Sequence, residues 1–349
     1  MRRGPLLLAT GGAVVLLHAS AGAVPAQQAG HASREDALAL LADAARAVRE
    51  LTYSGTQMVS FWSESGSSSA LIDVNHVRGQ GLLLRVAPTP QNPGGAVYDD
   101  ESGDVPQVVG IGGLDLLAAH YDVGVEGDGE VAGRAAYVVV VRRPGATANV
   151  SARFWIDRRT SLPLRREVLD DEGRTLRESA FIDVEVGEGD VPPSVRKVAT
   201  TMPLMRGAPA DVAALRAAGW EVPDRVGNGL ELLDVRVDGT GDETTLHMTY
   251  SDGLATVSLF EQKGVLDTKN LDGWRRDEVA GERVWVQDAF PRRVVWAGRG
   301  SVFTVVADCP QATIEDLVRT LPHGTPGPGM TTRLGNGLAR VGSWLNPFA

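Results

Sequence analysis

One cysteine is all the chain has, Cys309, and that excludes an intrachain disulfide or a multi-thiolate metal site. Lysine is nearly missing too, found only at Lys197, Lys263 and Lys269, with arginine as the other basic residue. Genome composition explains that bias without any function. Positive charge is outweighed overall, 34 Lys and Arg against 44 Asp and Glu, for a formal charge of −10. That balance argues against holding a nucleic-acid backbone, which needs clustered cations. Catalytic signatures are missing as well: no G-x-S-x-G elbow, no H-E-x-x-H pair, no glycine loop followed by Lys-Ser/Thr. His18, His31, His76, His120, His247 and His323 show no metal-ligand spacing. The acidic turns Asp99-Asp100-Glu101 and Asp170-Asp171-Glu172 have no partner base nearby and read as solvated turns. Catalytic, metal and cofactor-binding residues are all expected to be none, and the chain is not expected to be an enzyme.

No apolar run reaches the roughly 20 residues that span a bilayer. The run from Leu6 to Leu17 follows Arg2-Arg3 and ends in small residues, the layout of a secretory signal over 1–26. Cleavage after Ala23 or Ala26 and an exported, extracytoplasmic location in the cell envelope are expected, with an uncleaved anchor as the alternative. At 349 residues the chain exceeds what one core usually organises, so two domains are expected. Its 43% hydrophobic and 22% charged residues are ordinary for a globular protein.

What is present is mostly strand. Ser33 followed by Asp36 opens an amphipathic helix through Ala37, Leu40, Leu41, Ala44, Val48 and Leu51. Strands follow at Thr52–Ser63, Ala70–Val77 and Gly81–Ala87, with a short helix at Asp115–Tyr121. Ala135–Arg142, Ser151–Asp157, Leu162–Leu169 and Thr175–Val186 then form an antiparallel meander, since every connection is short. Phe154 and Ile156 share one face of their strand, while Arg153, Trp155 and Asp157 share the other.

Prolines interrupt the pattern over 188–218, which reads as a linker with one short helix at Asp211–Ala218. A second set of short strands fills 219–323, ending in a helix over Thr313–Leu321 with Thr313 as its cap. The tail 324–349 is a hinge and an amphipathic segment. The fold class expected is β-rich α+β: a first domain over 33–187, its curved antiparallel sheet wrapped on a helix, then a smaller mixed antiparallel-sheet domain.

Two stretches carry a resemblance. Gly133-Arg134, the valine-rich strand, Phe154-Trp155-Ile156-Asp157 and Leu162-Pro163-Leu164-Arg165 resemble the LolA/LolB-like half-barrel of lipoprotein carriers. His247, Tyr250-Ser251-Asp252-Gly253-Leu254-Ala255, Ser258 and Phe260 form an H-x-x-YSDG-L-A-x-x-S-x-F segment. That segment is similar to one in the sigma-E regulatory protein family RseB/MucB and is lacking in lone carriers. Trp220-Glu-Val-Pro and Val305–Thr313 agree with the same family, and the arginine-rich composition fits an actinobacterial source.

The resemblance implies a regulatory protein whose partner is the extracytoplasmic segment of a membrane anti-sigma factor. It also implies a lipid or acyl-chain ligand. A lipid or lipoprotein carrier is the alternative. Tyr137, Val139, Phe154 and Ile156 could line an apolar pocket, although core packing explains each singly. Tyr250, Asp252 and Phe260 are the candidates for a partner-binding hairpin, against the simpler reading that Asp252 serves the turn and Phe260 the core.

Overall fold

A computed structural model describes residues 33–324, apart from 64–65, 80, 87–95, 99–112, 146–148, 188–207, 228, 242–243, 269–270, 272, 288–291 and 308. The expected secretory signal over 1–26, the loops at 88–95 and 99–104, most of the expected linker and the tail beyond Gly324 lie outside the described residues.

Helix α1 (Arg34–Glu50) starts where its capping residues place it. Ser33 Oγ accepts from the Asp36 amide at 3.2 Å, and the Asp36 carboxylate accepts from the Ser33 amide at 2.8 Å. Aspartate thus closes a box usually closed by Glu or Gln. The buried face is Ala37, Leu41, Ala44 and Val48.

The first sheet comprises β1 (Tyr53–Ser63), β2 (Gly66–Val77), β3 (Gly81–Val86), β4 (Ala96–Tyr98), β5 (Asp122–Val131), β6 (Arg134–Arg142), β7 (Val150–Asp157), β8 (Pro163–Leu169) and β9 (Thr175–Val186). Their order is β4-β3-β2-β1-β9-β8-β7-β6-β5, antiparallel throughout, so β1 closes the meander by pairing with β9. Register shifts at Thr56/Gln57 and Val125/Gly127 bend the strands, as extra residues in a ladder do. Helix α1 packs against β5, β6 and β7, and α2 (Leu114–His120) leads into β5.

The resemblance residues Arg134 and Asp157 meet here. The buried Asp157 carboxylate accepts from Arg134 Nε and from the Arg159 and Thr160 amides at 2.7 and 2.9 Å. Burial alone would raise the Asp157 pKa, but these donors hold it below the usual carboxylate range. They fix the turn out of β7 rather than any chemistry.

The second sheet is built from β10 (Ala208–Pro209), β11 (Arg225–Val226), β12 (Leu230–Asp238), β13 (Thr245–Ser251), β14 (Thr256–Lys263), β15 (Arg275–Val279), β16 (Glu282–Gln287), β17 (Arg292–Gly298) and β18 (Ser301–Ala307). It runs β10-β12-β13-β14-β18-β17-β16-β15, with β11 also on β12. Leu246, Met248, Tyr250, Val257, Leu259, Trp296, Phe303 and Val305 form its core with Ile314, Leu317 and Val318 of α4 (Gln311–Thr320).

Two boundaries differ from the sequence reading. Ala208–Pro209 pairs with β12, so part of the expected linker belongs to this sheet; an edge strand tolerates proline. Helix α3 (Val212–Ala217) follows, with Asp211 as its cap. Thr313 is not the cap of α4: Pro310 is, and Thr313 lies buried inside the helix. The fold class itself is as expected, β-rich α+β with a curved antiparallel sheet on a helix and a second antiparallel sheet.

Candidate functional site

The turn between β13 and β14 is where the two sheets meet. It is rigid before it touches anything. Ser251 Oγ donates to the Ala255 carbonyl at 2.7 Å and accepts from the Gly253 amide at 2.9 Å. Asp252 Oδ1 accepts from the Leu254 and Ala255 amides at 2.9 and 2.8 Å, the way aspartate fixes a tight turn.

This preformed turn plugs into the first domain. Tyr121 Oη donates to Asp252 Oδ2 at 2.6 Å. Burial, reinforced by the Asp252 carboxylate, pushes the Tyr121 pKa well above its ordinary value, so the phenol stays a donor. Gly253, at φ +90°, lies so close to α2 that an added Cβ would sit 2.2 Å from the Leu117 nitrogen. The Leu254 side chain, 5% exposed, joins the first domain's cluster of Leu41, Leu117, Val139, Phe154 and Ile156. Arg166 Nη2 donates to the Leu254 carbonyl at 2.8 Å, with its guanidinium 5.5 Å above the Phe154 ring.

The receiving side is held from behind. Arg34, at the start of α1, donates to the Ala118 and Tyr121 carbonyls, clamping the end of α2. Beside it, His120 Nε2 lies 3.5 Å from Glu231 Oε1 of β12.

The candidate pocket residues are brought together. Tyr137 pairs with Ile156 and Val139 with Phe154, which places all four on one face. Val139, Phe154 and Ile156 are buried in the cluster that includes α1 and Leu254, so protein covers that face. Tyr137 is half-buried, with the Arg158 guanidinium 4.5 Å over its ring.

The candidate hairpin residues turn inward, Phe260 to the core and Asp252 to the turn, as the simpler reading of those two has it. Tyr250 is 0% exposed, in the second core, and its hydroxyl donates to the Pro223 carbonyl at 2.9 Å. Phe260, also 0% exposed, stacks on His247 at 4.4 Å. Asp252 is buried in the joint. The physical reason is that β13 and β14 are buried on both faces, which leaves their aromatics no free surface. Tyr250→Phe is therefore expected to lower stability by about 1 kcal/mol, the worth of one internal hydrogen bond, without changing partner capture. Urea denaturation beside a binding assay checks it.

Tyr121, Arg166 and Leu254, which join the two sheets, were not singled out as site residues by the sequence reasoning. Leu254 had a local signal, an apolar side chain directly after the turn glycine. Tyr121 and Arg166 had none. Among the described residues, no group of three or more His, Cys, Asp or Glu could hold a metal ion. Nor is any described helix long and apolar enough to cross a membrane.

A curved antiparallel sheet on a helix, plugged by a turn from a second antiparallel sheet, is the class of fold these residues define. Residues 89–203 match the family model described as the MucB/RseB N-terminal domain. The solved complex of Pseudomonas aeruginosa MucA and MucB is similar over 83% of this chain and 100% of that one, at 20% identity and a TM-score of 0.50. MucB in complex with MucA(peri) is similar over the same shares, at 19% identity and a TM-score of 0.46. An outer membrane lipoprotein-sorting protein domain from Vibrio parahaemolyticus covers 47% of this chain and 98% of its own, at 14% identity and a TM-score of 0.23. No curated protein matches the chain. The family-model match over residues 89–203 agrees with the RseB/MucB resemblance read from the motifs, and the MucA–MucB complex shows a shared fold.

Proposed function

We propose that this chain is a non-enzymatic, extracytoplasmic regulatory protein. It binds the exported segment of a membrane-anchored anti-sigma factor, modulates a sigma-factor-dependent envelope stress response, and senses a lipid-like ligand. The observation that carries the reading is the likeness to MucB across both sheets, in a structure where MucB is held in complex with MucA. The family resemblance of the YSDG segment supplies the kind of partner.

A lone carrier would need an open acyl-chain pocket. The face that would line one, Val139, Phe154 and Ile156, is filled here by α1 and Leu254. That favours the regulator over the carrier.

The test is capture of the anti-sigma factor's extracytoplasmic segment by the full-length chain, with extraction of bound lipid from the same preparation. Capture at micromolar affinity or better, with lipid well below one per chain, is expected. Absent capture with stoichiometric lipid would establish the carrier instead.

A further inference from the structure

Strands β1 and β2 form a ribbon that outruns its neighbours in the first sheet. They pair from Tyr53 and His76 to the closing pair Ser63 and Gly66. β3 joins β2 only from Ile72 onward. Ser67 to Leu71 therefore have β1 on one side and, among the described strands, nothing on the other. Register tells which backbone groups look outward. Two residues separate Ser63 from Gly66, and the closing pair of such a hairpin exchanges both ladder bonds. Bonded pairs then alternate. Ser68 and Ala70 bond to β1, and the N–H and C=O groups of Ser67, Ser69 and Leu71 turn to the open side.

That side is also unguarded. Sheet edges are normally protected against another chain by charge or by proline. Exposed Asp122, Glu126, Asp128 and Glu130 stud the edge strand β5, and the edge strand β15 reads Arg-Arg-Asp-Glu-Val. The ribbon has neither device: from Leu51 to Ile72 the one charged residue is Glu64, and there is no proline.

Its exposed face is apolar as well. Of the five large apolar side chains exposed among the described residues, Met58, Trp62 and Leu71 lie on this ribbon. Met58 stands directly opposite Leu71 and Trp62 opposite Ser67, and alternation puts all four on one face. Scattered singly, such side chains need no explanation; three on one face of one ribbon do.

We infer that the Ser67–Leu71 edge of β2 accepts an extended segment of another protein, added as a tenth strand to the nine of the first sheet. The edge itself describes that segment. Ser67, Ser68, Ser69 and Ala70 are small and form strands poorly, so a stable pair needs β-branched or aromatic residues on the incoming side. An aromatic opposite Ser67 reaches over it to the Trp62 ring. An apolar residue opposite Leu71 extends the Met58–Leu71 contact. The contact itself is uncharged but the chain carries −10, so basic residues belong at the segment's ends. A second copy fits worse on both counts, since it brings the same small side chains and the same negative charge. Main-chain bonds supply affinity and alternate side chains supply specificity, as in other strand additions. The proposal goes beyond the anti-sigma reading and does not rest on it.

The probe is the peptide acetyl-Lys-Val-Thr-Tyr-Val-Thr-Val-Lys-amide, titrated into the full-length chain by calorimetry. Saturable binding is expected, with slower amide hydrogen exchange over 67–71. Two copies of the peptide, N-methylated on one alternate set of residues or the other, keep every side chain. Only one set faces β2, so one copy should bind about tenfold more weakly and the other like the probe. Glutamate in place of both lysines should weaken binding about threefold at low salt, a gap that closes as salt is added. Ser67→Pro removes an outward N–H without touching a bond to β1, and Leu71→Lys puts a guard charge on the edge. Each should cost about tenfold in affinity and leave the melting temperature unchanged.

No binding of the probe overturns the proposal. So do equal affinities for the two methylated copies, or parent-like affinity in Leu71→Lys. If Ser67→Pro melts early, Leu71→Lys and the methylated copies decide. Sedimentation of the parent alone tests the other occupant. Self-association that Leu71→Lys abolishes would give the edge to a second copy, and would overturn the proposal too.

Discussion

Gly253→Ala is expected to part the two sheets while each stays folded. An added Cβ would lie 2.2 Å from the Leu117 nitrogen, 2.6 Å from its Cα and 2.7 Å from the Gly113 carbonyl oxygen. All three are backbone atoms of α2 and its cap, so no side chain can swing aside. The position is also at φ +90°, where an alanine is strained in any surroundings. Keeping the joint would mean moving α2, which Arg34 clamps and Leu117 anchors in the first core. Leaving it costs the Tyr121–Asp252 and Arg166–Leu254 hydrogen bonds and the burial of one leucine. Each bond to a charged group is worth about 1.5–3 kcal/mol and the leucine about 2 kcal/mol. Undocking then costs about 5–8 kcal/mol on that count, and it is the route expected.

Calorimetry should show one unfolding transition in the parent and two in the variant. Scattering should show a larger radius of gyration. Gly298→Ala serves as the contrast. Its Cβ would meet the Pro322 carbonyl oxygen at 2.0 Å, inside the second domain, so it should unfold that domain and leave the first melting normally. An unchanged melting profile for Gly253→Ala would mean that the turn is not seated as described.

Much of the architecture could be read locally. Ser33 and Asp36 marked the start of α1, and the alternation Phe154/Ile156 against Trp155 told which side of β7 faces the core. Ser-Asp-Gly marked the hairpin turn because aspartate and glycine are what such a turn needs. What that turn does was not legible. Tyr121 and Asp252 are 131 positions apart, and no periodicity or spacing rule links residues over that distance. The two-sided burial of β13 was hidden for a different reason. Thr245, His247 and Thr249 alternate with Leu246, Met248 and Tyr250, a pattern that normally means one wet face. Instead Thr245 and His247 are buried too, beside Gln262 and Thr304. Alternation reports which residues share a face, but not whether the polar face is covered.

That covered polar face gives the protein a built-in sensitivity to mild acid. His247 is 8% exposed, stacks on Phe260, and among the described residues has a hydrogen-bond partner for neither ring nitrogen. Burial, with a smaller push from Arg236, lowers its pKa to about 4; Asp234 opposes the shift without reversing it. The folded protein therefore refuses a proton that the unfolded chain accepts near pH 6.5. Between pH 6.5 and 4 the unfolded state binds more protons, so stability falls as the pH falls. It is complete above 6.5, and about 3 kcal/mol of it is gone by pH 4. Asp157, Asp170 and Asp277 do not confuse this window. Their pKa values lie below the ordinary 3.8, so the stability they supply is lost only in stronger acid. His247→Phe keeps a ring against Phe260 and removes the titrating group. Urea denaturation of parent and variant at pH 7.0, 5.5 and 4.5 is the measurement. Taking the difference between the two proteins cancels every other histidine. Relative to the parent, the variant should gain about 2 kcal/mol on going from pH 7 to pH 4.5. A difference that does not vary with pH would show that His247 is protonated, or solvated, inside the folded protein.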